Sequence, residues 1–134
     1  MINYVAVLVS AIVGFGIGGL WYSPLLFGKT WMKLINITQK EMKANKDKAK
    51  KGYIFMFVAL LVMAYALSLF VNYAGATTLT AGLLVGFWAW LGFVATVLLG
   101  EFLWENKPFS LYLINVSHYL VVLVVMGAIL AVWV

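Results

Sequence analysis

The sequence predicts an all-α polytopic membrane protein, with four transmembrane helices and a cytoplasmic-side interfacial amphipathic helix. Three observations carry that expectation. Hydrophobic residues make up 66% of the 134 residues and charged residues 10%, whereas soluble domains are roughly 45–50% apolar. A water-soluble fold of this composition could not cover its own apolar surface. The nine lysines and four acidic residues are also clustered, since all but Glu101, Glu105 and Lys107 fall between Lys29 and Lys51. What remains is four uncharged stretches, each long enough for the roughly 20-residue helix that crosses a hydrocarbon core about 30 Å thick.

Taken in order, the first span covers residues 2–21. It lacks a positively charged start and a small-residue cleavage site, so it is expected to stay attached as a helix rather than act as a signal peptide. Ser23 and Pro24 then read as an N-cap with proline at the first helical position. The interfacial helix is expected over 24–37, with Phe27, Trp31, Leu34 and Ile35 on its apolar side and Lys29, Lys33, Asn36 and Lys40 opposite. Thr38 with Glu41 forms a capping box that starts a lysine-rich extension from residue 39 into the second span, 53–73. The third span is 78–104, and the fourth is 108–134, after a turn through Asn106, Lys107 and Pro108. Short connections make the last three spans sequential antiparallel neighbours, and all of 1–134 is one membrane domain.

Orientation follows from lysine placement. Residues 22–52 hold eight of the nine lysines, so loops 22–52 and 105–108 face the cytoplasm and both termini lie outside. In a prokaryotic cell that places the chain in the inner membrane. Trp21, Tyr22, Tyr53, Trp104 and Tyr112 then fall at the inner interface, and Tyr4, Tyr73 and Trp133 at the outer one. This topology also accounts for the net charge of +5, so no nucleic-acid partner is expected. With no cysteine in the chain, disulfides, thiolate metal sites and cysteine nucleophiles are excluded.

Small residues recur on two spans. Ser10, Gly14 and Gly18 repeat every four positions along the first, and Gly82, Gly86 and Gly100 fall on one side of the third. Such stripes let helix backbones approach closely where lipid supplies no hydrophobic force. These two spans are therefore the candidates for the tightest packing, within the bundle or across a homo-oligomer. Gly14, Gly16 and Gly19 match a dinucleotide-binding spacing, but no strand precedes them, so that meaning is rejected.

Polar groups inside lipid are expensive and mark candidate sites. Asn115 and His118 lie three apart on one side of the fourth span, and Glu101 stands near the inner end of the third. Together with Tyr22 or Tyr112 they are expected to form a polar pocket or proton relay open to the cytoplasm, at least two of Glu101, Asn115 and His118 converging. The alternative is that His118 and Asn115 act as packing glue between helices while Glu101 snorkels to the interface near Lys107. One histidine and one nearby carboxylate supply too few ligands for a metal, and no cofactor is expected. Trp21, Ser23, Pro24, Phe27, Lys29, Trp31 and Lys33 form a corner suited to membrane lipid or a partner.

The run from Gly19 to Trp31, Gly-Leu-Trp-Tyr-Ser-Pro-Leu-Leu-Phe-Gly-Lys-Thr-Trp, is its most specific motif. With the Glu101 to Trp104 helix end and Asn115, His118 and Gly127, it resembles a family of small four-helix prokaryotic membrane proteins known as a domain of unknown function. The resemblance covers essentially the whole chain. It implies the fold and topology, and it implies that the Trp21 to Trp31 corner and His118 matter, without implying an activity.

Three functions fit these residues. The first is a small transport or permeation module acting as a homo-oligomer, with Glu101, Asn115 and His118 lining the path. A non-catalytic accessory or lipid-binding protein is the second, binding an unidentified small molecule or lipid, or packing on a partner. The third, a lipid-modifying enzyme, ranks last, because no nucleophile with its base and no metal-ligand spacing is present.

Overall fold

The computed structural model describes residues 2–36 and 38–133. Among them the regular structure is entirely helical: α1 (Tyr4–Trp21), α2 (Gly28–Leu34), α3 (Gln39–Ala44), α4 (Lys46–Tyr73), α5 (Leu79–Trp90), a π turn (Leu91–Ala95), α6 (Thr96–Trp104) and α7 (Phe109–Val132). Ile37 and Val134, where the interfacial helix and the last span are expected to end, lie outside the described residues.

Among the described residues four helices are long and apolar enough to cross a membrane: Tyr4–Trp21, Lys46–Tyr73, Leu79–Trp104 and Phe109–Val132. The third is continuous through the π turn. Their outward faces are apolar, with Val62, Phe93, Val97 and Phe55 between 64% and 73% exposed. Leaving such surface in water forfeits about 25 cal/mol for each Å² that could have been buried. A lipid surround removes that penalty.

Local chemistry sets the helix ends. Asn3 accepts from the Ala6 N–H at 3.1 Å and Thr78 from the Ala81 N–H at 3.1 Å, starting α1 and α5. Thr38 accepts from the Glu41 N–H at 3.2 Å and starts α3, which Asn45 separates from α4. The reversals use the left-handed backbone: Gly75 at φ +67° and Asn106 at φ 54°, residue types that tolerate it.

Ser23 and Pro24 do not open the interfacial helix. The Ser23 carbonyl accepts from the N–H groups of Leu26 at 3.1 Å and Gly28 at 2.9 Å, while its hydroxyl donates to the Leu20 carbonyl at 2.6 Å. Proline is favoured at the second position of such a turn. The helix therefore begins at Gly28. A Cβ on Gly28 would run into the Tyr22 and Ser23 backbone, so only glycine lets the turn close.

α7 is the hub, packed against α1, α4 and α5. Its closest neighbour is α5, where glycines meet backbone to backbone. A Cβ on Gly82 would strike the Gly127 carbonyl, one on Gly86 the Leu123 carbonyl, and one on Gly127 the Gly82 carbonyl. On α1, Ser10 and Gly14 are buried, and a Cβ on Gly14 would meet the Met126 methyl at 2.7 Å, with Val122 and Leu60 just beyond. Gly100 departs from expectation. A Cβ there would touch only Trp104 of its own helix; α6 keeps to α7 through Phe102, and Gly100 is off that contact. α4 and α5 also separate despite their tight connection, leaving a wholly apolar groove of about 260 Å³ floored by Leu123.

Candidate functional site

The C-terminal end of α1 and the N-terminal part of α7 are clamped by two consecutive residues on each. Where α1 stops, the Trp21 indole N–H donates to the Ile114 carbonyl at 3.0 Å and the Tyr22 hydroxyl donates to Asn115 Oδ1 at 2.7 Å. Burial, with Tyr119 adding to it, pushes the Tyr22 phenol up from its ordinary value. It therefore stays protonated and donates. Asn115 is half-buried, and its amide nitrogen has donors to spare.

One turn beyond Ile114 sits His118, which is 4% exposed and has no hydrogen-bond partner on either ring nitrogen. Three aromatic rings surround it: Tyr119 at 4.7 Å, Tyr22 at 5.1 Å and Trp21 at 6.3 Å between centroids. On the remaining side it lies against Gly18. A neutral imidazole carries one donor and one acceptor, and leaving either buried and unpaired costs about 1–3 kcal/mol. Nearly all buried polar groups find partners; among the described residues the Ser10 hydroxyl and both His118 nitrogens do not, and His118 alone of the two adjoins the Tyr22–Asn115 pair.

Asn115 and His118 are thus brought together by Tyr22. Glu101, by contrast, is exposed on α6. Tyr112 does not join this cluster. Its hydroxyl donates at 2.9 Å to the carbonyl of Ala95, the last residue of the π turn. On the other flank of that turn the Trp90 indole N–H donates to the Val116 carbonyl at 2.7 Å, so the two bonds hold the irregular segment to α7.

The corner after α1 lies over the cluster. Trp31 of α2 packs edge-on to Tyr22 at 5.6 Å, and Phe27 lies 5.0 Å from Trp21. Leu25 is 83% exposed, and Pro24, Lys29 and Lys33 are exposed beside it. This gives an apolar tip flanked by ammonium groups. No three His, Cys, Asp or Glu side chains come together among the described residues in a way that would hold a metal ion.

Tyr119, Trp90 and the backbone role of Gly127 are not evident from sequence spacing. Tyr119 is one aromatic among many until its neighbours are known. Trp90 serves through an indole N–H that always seeks an acceptor when buried, which is a usable signal in hindsight.

A family model described as "Protein of unknown function (DUF1761)" matches residues 5–131. No curated protein and no solved structure matches the chain.

Proposed function

The chain belongs to the DUF1761 family, and we propose that it is an integral membrane protein that binds a small hydrogen-bonding molecule or lipid headgroup at the inner ends of α1 and α7. One observation carries this: His118 is buried with both ring nitrogens unpaired, inside a box of aromatic rings and next to the Tyr22–Asn115 pair. A ligand that bonds to the imidazole removes the cost of the empty positions, and that cost becomes binding energy. Trp31 on Tyr22 covers the site, so entry requires α2 to move aside. The exposed Leu25, Lys29 and Lys33 hold that cover at the cytoplasmic interface, with the termini outside.

Transport through a single bundle fits less well. Outward of His118 the core continues through Gly14, Leu60, Val122 and Met126, all buried, and Leu60 and Met126 are at most 2% exposed. That layer is apolar, and one turn further out on α1 only the buried, unpaired Ser10 hydroxyl offers a polar solute a bond. Binding therefore stands ahead of permeation.

The test is native mass spectrometry of the protein released from membranes, looking for a bound small molecule or lipid. Retention by the wild type, with loss in both His118→Leu and Tyr22→Phe, is the expected result. Equal retention by all three would place the ligand elsewhere and end the proposal.

A further inference from the structure

Building on the membrane reading, we propose that the outward face of α6 docks a second copy of this chain. The Leu79–Trp104 span is the least covered of the four, with 17% of its most apolar stretch buried against 50% for α7. That poorly covered span carries the carboxylate of Glu101, one turn before the helix ends at Trp104 and exposed. Because helical side chains lean toward the N-terminus, Glu101 leans into the bilayer and away from the inner surface. Acidic groups at such depth are rare and are found facing a partner.

The chain's own sequence supplies the complementary charge. Lys107 is exposed just past the reversal at Asn106, at the same inner end. A two-fold axis along the membrane normal sets Lys107 of each copy against Glu101 of the other, a self-complementary arrangement, with the exposed Glu105 beyond the helix end left in the inner aqueous phase. A lipid phosphate at this place would be repelled by the carboxylate. Close approach is sterically open: a Cβ on Gly92 would meet nothing within 4 Å, Thr96 keeps its hydroxyl on the Gly92 carbonyl at 2.8 Å, and Gly100 follows one turn later. Small residues four apart allow helices in lipid to touch.

The chain has no cysteine, so a single introduced thiol reports cleanly. Thr96→Cys and, separately, Gly92→Cys are oxidised in native membranes, with Val62→Cys on the exposed side of α4 as the control. A disulfide-linked band of twice the chain mass is expected for the first two and not for the third. Glu101→Lys or Lys107→Glu, added to Thr96→Cys, should lower the linked fraction several-fold, and the charge-swapped pair should restore it. Alkaline carbonate extraction separates the two premises: a chain that washes off the membrane ends the membrane reading. A chain that stays in the membrane but does not cross-link, or cross-links to a different protein, overturns the second-copy proposal. Failure of the charge swap to restore linking does so as well.

Discussion

The imidazole of His118 occupies the space that a side chain at Gly18 would need, with the Cβ position at 18 only 3.1 Å from Nε2. Two helices are therefore keyed together by a missing side chain on one and a polar ring on the other. Gly18→Leu should expel the ring and destabilise the protein by about 1–3 kcal/mol, as overpacking does. Gly16→Ala, two residues earlier where a Cβ meets nothing within 4 Å, should be neutral or slightly stabilising. Thermal unfolding in detergent of the two variants side by side distinguishes them, and equal losses would mean that the notch does not exist.

Removing the imidazole itself should have the opposite sign to most core substitutions. His118→Leu replaces two unpaired buried nitrogens with an apolar group of similar size, so it should unfold at the wild-type temperature or above it in ligand-free protein. With the ligand retained, the wild type should be the more stable of the two, because only it gains from binding. A melting comparison before and after delipidation reads both signs, and a large loss in the stripped variant would show that the ring is instead well satisfied.

The Tyr22 hydroxyl and Asn115 amide should behave as a pair. Tyr22→Phe and Asn115→Leu each lose a hydrogen bond, and the double variant should cost less than the two singles added together, with a coupling of about 0.5–1.5 kcal/mol. Simple additivity would mean the 2.7 Å bond contributes nothing.

These residues show where sequence is informative and where it is not. The four long apolar helices follow from charge placement alone, because a helix must satisfy its own backbone in lipid and any charge interrupts the run. Asn115 and His118 stood out because polar side chains are rare in such runs. The reversal after Trp21 was hidden, since Ser-Pro suits a helix start and a turn equally, and the deciding contact is Gly28 against the Tyr22 and Ser23 backbone. Glycine roles were half legible. Gly82 and Gly86 lie on a recognisable stripe, but their partner Gly127 stands alone in sequence, and Gly100 keeps the stripe's spacing while a π turn carries it off the interface. No periodicity reveals such a turn, because it changes the register by a single residue.

The same geometry separates glycines that look alike on paper. Gly127→Ala should destabilise the protein by at least about 1–3 kcal/mol, because its new methyl would meet the Gly82 carbonyl and backbone cannot swing aside as a side chain can. Gly100→Ala adds a methyl whose nearest foreign atom is 4.0 Å away on Trp104. In the isolated chain it should be neutral or gain the few tenths to about 1 kcal/mol that alanine holds over glycine in a helix. If α6 pairs between copies, however, the same methyl stands in that contact. Gly100→Ala should then leave monomer unfolding unchanged or slightly more stable while lowering the cross-linked fraction of Thr96→Cys, whereas Gly127→Ala should lower stability at any degree of pairing. Unfolding and cross-linking measured on both variants would separate packing inside the bundle from packing between bundles, and identical behaviour would refute the division drawn at the π turn.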